Sequence, residues 1–406
     1  MTYPKLRSVE VVPVVSRGRE MMLLRDPGNL SERTVAVPPR TLFLLSLLDG
    51  RHSLREIQVE YVRRFGDLIL SQQLERLVQE LDENLLLEGE RFEQYRQEVE
   101  ERFRALPFRP PAHAGTAYPA DGPALEEELK GLMTAAEAPA AAEEVSGVIS
   151  PHIDLDRGGR CYAAAYRAIA CPAGEGEPPG LFIIFGTSHS GGSKSFILTS
   201  KNFATPLGEA ETDGLLVKKL VDECGPQLLD DEIMHRGEHS IEFQVLFLKY
   251  LWREPGAFKI LPVLCSGFHR KGESVVSPRG DEELEGFLSA LTRNLIGDRK
   301  KVCIIAGADL AHVGLRFGDD RPLDLRWLGQ IEERDRALLQ RAGELDAEGF
   351  VSAIAAEEDR RRICGGPPIY ALLRTVKANR GNLLCYMKSV EQGMHSVVSF
   401  AAMSFS

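Results

Sequence analysis

From residue 112 onward, the sequence repeats a pattern of short apolar run, loop and helical segment, which restricts the fold more than any other feature. The clearest apolar runs are VSGVIS, LFIIFG, KILPVL and KVCIIAG, and helical periodicity follows in segments such as SIEFQVLFLKYL and PPIYALLRTVKAN. This alternation predicts an α/β domain with a mostly parallel or mixed sheet and helices on both faces. NLLCYMKSV and HSVVSFAAMSF predict two further strands near the end.

The length of the chain, 406 residues, predicts two folding units, because one hydrophobic core rarely organises so many residues. A charged helical run ends in LPFRPP, whose prolines are typical of a linker. We therefore expect a small module at residues 1–105, a linker at 106–111 and the α/β domain at 112–406.

The small module combines two short strands, VEVVPVV and EMMLLRD, with three helical segments. We expect these helices to end at Gly50, Gly66 and Gly89, and Ser53 with Glu56 predicts a capping box at the start of the second helix. The outline is that of a small α+β domain and resembles a winged helix, and LLDGRHSLREI resembles the PqqD-like peptide-binding fold found beside radical SAM enzymes. The alternative is a packing or dimerisation module without a ligand.

Charge and composition indicate which classes of partner and which cellular location the chain is expected to have. Residues 1–105 carry 16 Lys and Arg against 18 Asp and Glu, and the whole chain has a net charge of −11, so we expect no nucleic-acid partner. We also expect no membrane segment, and the N-terminal residues do not form the pattern of a secretory signal, which favours a cytoplasmic location. The seven cysteines are widely spaced without a CxxC pair, which fits core residues better than a disulfide framework.

Histidines follow the predicted strands at the positions where ligands bind in α/β sheets. His152 and His189 each come shortly after a strand, and Asp309 and His312 follow KVCIIAG. The ligand crevice of an open α/β sheet lies beyond the carboxyl ends of its strands. Neutral imidazoles on neighbouring loops are typical of a metal site.

Cys364 is a second candidate for chemistry. It follows three arginines and precedes Pro367 and Pro368, which predict the first turn of a helix. Cationic neighbours and a helix N-terminus both favour the thiolate form. Such a thiolate binds a metal or acts as a nucleophile, and the alternative is a small buried core residue.

Seven ordered blocks spread over the α/β part resemble the Memo family. The blocks are HAGTAYPADGPALEEEL, SPHIDLDRGG, FGTSHS, GEHSIEFQVLFL, ADLAHVG, CGGPPIYALL and SVVSFAAMSF. This family is similar in fold to the class III extradiol dioxygenases, which hold iron with two histidines and a carboxylate. The resemblance also implies a place in AmmeMemoRadiSam gene systems, as their protein B, alongside a radical SAM enzyme.

The resemblance assigns roles to individual residues. His152 and His189 match the two histidine ligands, and Cys364 occupies the place of the dioxygenase carboxylate. His312 matches the histidine that serves as acid or base, and Asp309 beside it would orient the ring.

Three further residues are expected to line the cavity. His239 and Glu242 match a helical block of the family, although a hydrogen-bonded pair that only anchors the helix is the alternative. Asp154 lies where the family has a loop rich in glycine and tyrosine, so its carboxylate could join the metal shell. The family's CGRHP is CGGPP here, which removes an arginine and a histidine beside Cys364.

These observations favour a dioxygenase-like, metal-dependent oxidoreductase that acts on a small molecule. Two imidazoles and a thiolate suit non-haem Fe(II) or copper and are also compatible with zinc. The absence of GxGxxG and Walker patterns argues against a nucleotide cofactor. The alternative is a non-catalytic binding or assembly protein, which recruits a radical SAM partner or its peptide substrate through residues 1–105.

Overall fold

The chain forms two compact units, Met1–Leu106 and Pro107–Ser406. A computed structural model describes residues 2–16, 18–26, 28, 30–31, 33–135, 144–170, 178–267, 278–295 and 301–406. Cys171, which is one of the seven cysteines, and His269, which follows the apolar run KILPVL, lie outside the described residues. Within the described residues, no helix is both long and apolar enough to cross a lipid bilayer.

The first unit contains a three-stranded antiparallel sheet, a two-stranded pair and four helices around its own apolar core. Its elements are β1 (Lys5–Leu6), β2 (Glu10–Ser16), β3 (Arg19–Arg25), β4 (Val35–Val37), α1 (Thr41–Ser46), α2 (Leu54–Phe65), α3 (Ser71–Glu83), β5 (Leu87–Glu88) and α4 (Glu90–Ala105). The strands run in the order β2-β3-β4, and β1 pairs with β5. The two strands predicted from the sequence are β2 and β3.

The helix boundaries of this unit follow the predicted signals at α2 but not at α1 or α3. The expectation that Gly50 ends α1 was wrong, because α1 ends at Ser46. Ser53 and Glu56 form the predicted capping box, and Gly66 ends α2 with a φ of 73°. The expectation that Gly89 ends α3 was wrong, because α3 ends at Glu83 and Gly89 precedes α4. The three leucines of residues 85–87 are buried in the unit's core, and their burial takes the chain out of the helix.

The second unit is a mixed α/β domain whose strands form one sheet of 11 strands. Its strands are β6 (Phe108–Arg109), β7 (Gly147–Ser150), β8 (Leu181–Thr187), β9 (Phe196–Leu198), β10 (Asn202–Thr205), β11 (Gly208–Thr212), β12 (Lys259–Cys265), β13 (Val302–Gly307), β14 (Asp309–Gly314), β15 (Gly381–Glu391) and β16 (Ser396–Phe405). Its helices are α5 (Gly122–Ala135), α6 (Leu155–Ala170), α7 (Gly214–Cys224), α8 (His239–Leu251), α9 (Glu282–Leu295), α10 (Leu325–Gly343), α11 (Ala347–Ala356) and α12 (Gly366–Thr375).

The sheet confirms the predicted architecture. Its order is β14-β16-β7-β13-β8-β12-β11-β10-β6, with β15 paired to β16 and β9 paired to β12. The strands β7, β13, β8, β12 and β11 run parallel, whereas β14, β15 and β7 pair antiparallel with β16. The four apolar runs of the sequence are therefore the parallel centre of the sheet.

Helices cover both faces of this sheet because side chains of a strand alternate between the faces. In β8, Ile183 and Phe185 belong to the core that contains residues of α7, α9, α10, α11 and α12. Their neighbours Phe182 and Ile184 belong to the core that contains residues of α5, α6 and α8. Continuous burial of β8 explains why its sequence is apolar throughout.

The segment expected to be a linker, residues 106–111, is only partly irregular. Phe108 and Arg109 form the strand β6, which pairs in parallel with β10 at the edge of the sheet. Arg109 is fully buried, and its guanidinium donates to the backbone oxygens of His235 and Glu238 at 2.8 Å each. Prolines near a strand are tolerated at a sheet edge, so the proline signal did not distinguish an edge strand from a linker.

The carboxyl ends of three neighbouring parallel strands lie level with one another. Gly307 at the end of β13 is paired with Ser150 of β7 on one side and with Gly186 of β8 on the other. The loops after β7 and β8 and the start of β14 therefore leave the sheet side by side. These are the segments that carry the candidate site residues.

Candidate metal centre

His152 follows β7 and is held by the end of β13. Its Nδ1 atom lies 2.9 Å from the carbonyl oxygen of Gly307, and its backbone N–H donates to Asp309 Oδ1 at 3.0 Å. A carbonyl only accepts hydrogen bonds, so Nδ1 carries the proton and Nε2 of the neutral ring has a free lone pair. Burial, with a smaller contribution from His189, lowers the pKa of His152 to about 3, so the ring is neutral at physiological pH.

His189 follows β8 and is held by a carboxylate at the start of α8. Its Nδ1 lies 3.0 Å from Oε1 of Glu238, and its backbone N–H donates to Oε2 at 3.0 Å. Burial opposes charge on the ring, but the Glu238 carboxylate and the hydrogen bond with Cys364 together raise the pKa of His189 well above its usual value. A carboxylate that binds one nitrogen of a histidine directs the other nitrogen toward a metal in many metalloproteins.

Glu238 is also the N-cap of α8, where its Oε1 accepts from the backbone N–H groups of His239 and Ser240 at 2.9 and 3.0 Å. The helix start therefore fixes the carboxylate, and the carboxylate fixes His189. Burial alone would raise the pKa of Glu238, but the histidines and the N–H groups around it lower that pKa well below the usual range.

Cys364 precedes α12 and brings a sulfur to the two imidazoles. Its Sγ lies 3.2 Å from His152 Nε2, and the same sulfur is hydrogen-bonded to His189. Thr187 Oγ1 at the end of β8 donates to the Cys364 carbonyl at 3.0 Å, which ties the turn to the sheet. The ligand atoms of His152, His189 and Cys364 all lie within 4.8 Å of one another.

The arginines before Cys364 do not act on its sulfur as the sequence suggested. Each of the three arginines pairs with a carboxylate away from the sulfur: Arg360 with Glu358, Arg361 with Asp335 and Glu357, and Arg362 with Asp319. Burial raises the pKa of Cys364, and the hydrogen bond and charge of His189 partly offset this. The expectation of a thiolate stabilised by arginine is therefore corrected.

His312 and Asp309 lie on β14, next to the ligand residues. Nδ1 of His312 lies 3.1 and 3.2 Å from the carbonyl oxygens of Leu310 and Arg362, so backbone groups rather than Asp309 orient the ring. The Asp309 carboxylate instead accepts from the His152 backbone and lies 3.7 Å from His152 Nε2. Burial raises the pKa of Asp309 to about 6, and burial lowers the pKa of His312.

The three residues expected to line the cavity have different positions. His239 stacks on His189 with ring centroids 4.8 Å apart, so it belongs to the cluster of imidazoles. Glu242 points away and pairs with the buried Arg109, and Tyr118 donates its hydroxyl to the same carboxylate. Asp154 accepts from the backbone and side chain of Arg157 at the start of α6.

The carboxylates of Glu242 and Asp154 therefore hold neighbouring segments of the chain together. Glu242 joins α8 to the segment around β6, since it also accepts from the backbone N–H groups of Ala112 and His113 at 3.2 and 3.0 Å. The anchoring alternative applies to Glu242, although its partners are Arg109 and Tyr118 rather than His239. The structure does not place Asp154 in the group formed by His152, His189 and Cys364, and its oxygens accept from Arg157 instead.

A cavity of about 250 Å³ opens beside His189 and Cys364. Ile354, Ile363 and Pro367 form apolar walls, and Arg362 adds a charged group. The residues predicted for the site that do not line this cavity are Asp154, His239, Glu242, His152, Asp309 and His312. A space of this size, with the sulfur and one imidazole at its wall, accommodates a small molecule.

Two glycines allow α8 to approach the strand ends. A Cβ at Gly186 would lie 2.6 Å from both Ser240 Oγ and Ile241 Cγ1, and one at Gly307 would lie 2.5 Å from the Ser240 carbonyl oxygen. Side chains at either position would push away the helix that holds Glu238. The site thus depends on glycine at the ends of β8 and β13.

The sequence interpretation missed Glu238 as the partner of His189. A weak signal was present, because a negative charge is favoured at the N-terminus of a helix. Glutamate is not among the residues preferred at the N-cap, so the sequence alone did not assign Glu238 to this position.

Comparison with known proteins identifies the family of the chain. Residues 109–404 match the family described as Memo-like protein. The chain is 30% identical to a MEMO1 family protein of Aquifex aeolicus over 99% of both chains. It is 31% identical to a MEMO1 family protein of Methanopyrus kandleri, covering 73% of this chain and 98% of that protein. A MEMO1 family protein of Thermus thermophilus is 29% identical, covering 86% of this chain and 98% of the relative. The chain therefore belongs to the Memo-like protein family.

Proposed function

We propose that this protein holds a non-haem metal ion, iron(II) or copper, at His152, His189 and Cys364, and that it carries out redox or oxygen-linked chemistry on a small molecule. The observation that carries the proposal is the group of two imidazole nitrogens and one sulfur within 4.8 Å. Nitrogen and thiolate ligands fit iron(II), copper and zinc, and they do not fit magnesium or calcium.

The residues present fit a metal ion in a second respect. Both histidines use Nδ1 for a protein partner, a carbonyl in one case and a carboxylate in the other. This leaves Nε2 of each ring for a metal, which is the usual arrangement of histidine ligands and their supports. When bound, an iron or copper ion would supply electron transfer and open coordination positions.

The protein's own groups would then bind the substrate and move protons. The cavity beside Cys364 would hold the small molecule against the ligands. His312 would act as the base, because burial lowers its pKa and its Nδ1–H is committed to backbone carbonyls, which leaves Nε2 to accept a proton. Asp309 would favour the protonated form of His312 through its charge.

The test is oxygen consumption by protein loaded with iron(II) or copper, measured with an electrode alongside peroxide formation. We expect His312→Asn to retain the metal and to lose activity by roughly 100-fold or more, since proton transfer contributes that much in many enzymes. His395→Asn, at an exposed histidine, is the matched control and should behave as wild type. Loaded wild-type protein that reacts no faster than free metal would overturn the catalytic proposal.

A second candidate function is the recruitment of a radical SAM enzyme or its peptide substrate by the first unit. In the described part of that unit, β2 is an edge strand, and its side chains Val11 and Val15 are 39% and 76% exposed. An edge strand with exposed apolar side chains can add a peptide strand. The PqqD-like resemblance of this unit and the link to AmmeMemoRadiSam systems motivate the same idea.

The recruitment proposal has its own test. A pull-down with a radical SAM enzyme of the same organism should succeed with metal-free protein and fail with Val15→Glu. Val59→Glu is the matched control, because Val59 is 45% exposed on α2. Equal binding by both variants, or binding by neither the variants nor the wild type, would contradict recruitment through β2.

A further inference from the structure

Two cysteines outside the candidate metal centre lie in direct contact. Cys161 is in α6 and Cys385 is in β15, and their Sγ atoms are 2.7 Å apart across a sequence separation of 224 residues. Both are free thiols in the structure. No CxxC motif marked this pair in the sequence, so only the packing of α6 on β15 brings the sulfurs together.

We propose that Cys161 and Cys385 form a redox modification site, which closes to a disulfide between α6 and β15 when a low-molecular-weight disulfide oxidises it. The proposal concerns neither the metal ligands nor the first unit. It therefore stands or falls independently of the proposed function.

The geometry requires little movement for the bond to form. A disulfide bond is about 2.05 Å long, so the sulfurs need to approach by less than about 1 Å. The pairing of β15 with β16 shifts register between Leu383 and Cys385, and this bulge lies next to the contact. A bulge interrupts the regular ladder and gives the strand local freedom to adjust.

The two sulfurs differ in access and acidity in the way that thiol exchange requires. Cys161 is fully buried, whereas Cys385 is partly exposed, so an outside reagent meets Cys385 first. Contact with Cys161, together with the charge of Arg160, lowers the pKa of Cys385. The hydrogen bond to Cys385 and burial raise the pKa of Cys161. Cys161 therefore stays protonated until Cys385 has reacted.

The other described cysteines outside the candidate metal centre lack this combination. Cys265 and Cys303 are buried in the sheet, and burial raises the pKa of both, that of Cys303 to about 12. Cys224 is partly exposed, but burial, with a smaller contribution from Glu223, raises its pKa as well. A thiol without access to solvent or without thiolate character exchanges slowly. Oxidation is therefore expected to be selective for the contacting pair.

The reaction balances with a small disulfide, RSSR, as the oxidant. The Cys385 thiolate attacks one sulfur of RSSR, which forms the mixed disulfide Cys385–S–S–R and releases RS⁻. This RS⁻ takes the proton of Cys161. The Cys161 thiolate then attacks the Cys385 sulfur of the mixed disulfide, forms the Cys161–Cys385 bond and releases a second RS⁻. The proton that Cys385 had lost to the solvent protonates this second RS⁻. Two protein thiols are oxidised by two electrons, and RSSR is reduced to two RSH.

The link would reinforce an existing connection between the same two elements. Arg157 near the start of α6 bonds Glu391 at the end of β15 at 2.8 Å. Because α6 begins at Leu155, directly after the turn that carries His152, a covalent bond at Cys161 would hold this helix against the sheet. The oxidised protein should consequently unfold at a higher temperature than the reduced protein.

The experiment is oxidation of the full chain in a series of glutathione buffers, followed by alkylation of free thiols and peptide mapping by mass spectrometry. We expect a crosslinked peptide that joins Cys161 to Cys385, a loss of two free thiols and two hydrogen atoms per chain, and full reversal by dithiothreitol. Cys161→Ser should accumulate glutathione on Cys385, whereas Cys385→Ser should leave Cys161 unmodified. Cys303→Ser should still form the crosslink.

The wild-type chain alone decides the question if a variant does not fold. The proposal would be overturned if Cys161 and Cys385 were fully alkylated at every glutathione ratio. It would also be overturned if either of them formed a disulfide with another cysteine. Glutathione on Cys161 in the Cys385→Ser variant would overturn the assignment of Cys385 as the attacking thiol.

Discussion

The Sγ atom of Cys364 lies 3.2 Å from the Nε2 atom of His152, although 212 residues separate the two in the sequence. The Nδ1–H of His152 is bound to the carbonyl of Gly307, so the nitrogen that faces the sulfur carries a lone pair. Neither contact depends on a flexible surface side chain. A sulfur and an imidazole nitrogen this close are compatible with the proposed metal ion, and several consequences of that proposal can be measured.

Replacement of Glu238 by glutamine should weaken metal binding without unfolding the protein. The variant loses the charge that binds His189 Nδ1 and raises the pKa of that ring, while an amide oxygen still accepts from the start of α8. Loss of such a support typically lowers metal affinity by roughly 10- to 100-fold. Competition of zinc, a redox-inert probe, between the protein and a chelator measures the change.

Glu282→Gln is the matched control, because Glu282 lies exposed in the first turn of α9. Its zinc affinity should equal that of wild type. Identical affinities for the Glu238 and Glu282 variants would show that Glu238 does not support a metal ligand.

Zinc affinity should rise with pH between about 6 and 8. The pKa of Cys364 is raised by burial and that of His189 by Glu238, so both groups hold protons that zinc must displace. Burial lowers the pKa of His152 to about 3, so this ring has no proton to release. Each displaced proton adds about a factor of ten in affinity per pH unit.

The measurement is a series of zinc titrations in buffers of different ionisation enthalpy, which counts the protons released. A flat pH profile without proton release would contradict the assignment of Cys364 and His189 as ligands.

Gly365→Ala should displace Cys364 and reduce both stability and zinc affinity. A Cβ at this position would lie 2.3 Å from the Asp309 carbonyl oxygen and 2.6 Å from the Ala308 Cβ, so the turn must move. Overpacking of this kind typically costs about 1–3 kcal/mol of unfolding free energy. Chemical denaturation and the zinc titration give the two values.

Gly329→Ala is the control, since a Cβ there meets nothing within 4 Å in α10. Alanine in an exposed helix should stabilise the protein by up to about 1 kcal/mol. A Gly365 variant as stable as the Gly329 variant, with wild-type zinc affinity, would show that the turn tolerates displacement.

Glu242→Ala should destabilise the second unit by about 3–5 kcal/mol, because it leaves the fully buried Arg109 without its carboxylate partner. The change should not affect zinc affinity in the folded protein, since Glu242 contacts none of the three ligands. Denaturant unfolding followed by circular dichroism measures the loss. A double variant, Arg109→Met with Glu242→Leu, should recover only part of the stability. It removes the uncompensated charge, but the carbonyl oxygens of His235 and Glu238 and the N–H groups of Ala112 and His113 lose these partners. No recovery at all would show that the uncompensated charge of Arg109 is not the cause of the loss.

The sequence predicted the parallel strands and the histidines at their ends because both signals are local. The strand β8 is apolar throughout, and His189 follows it by two residues, so the general rule about sheet crevices is sufficient to place this side chain. For Cys364, the local pattern left a metal ligand, a nucleophile and a buried core residue open, and only the resemblance to the Memo family assigned it as a ligand.

Contacts between distant segments could not be predicted in the same way. The ion pair of Arg109 with Glu242 and the contact of Cys161 with Cys385 join residues that no sequence spacing relates. The arginines before Cys364 were misinterpreted for the same reason, because their partners Asp319 and Asp335 are remote in sequence. Such side chains reveal their role only once the sheet has fixed their neighbours.

Metal content of protein purified without oxygen tests the central claim most directly. By elemental mass spectrometry, wild-type protein should contain about one iron or copper ion per chain, as expected for a single site with three protein ligands. Cys364→Ala and His189→Ala should both lose the ion, while His395→Asn keeps it. Wild-type protein that takes up no metal under any loading condition, or ligand variants that retain it in full, would contradict the account.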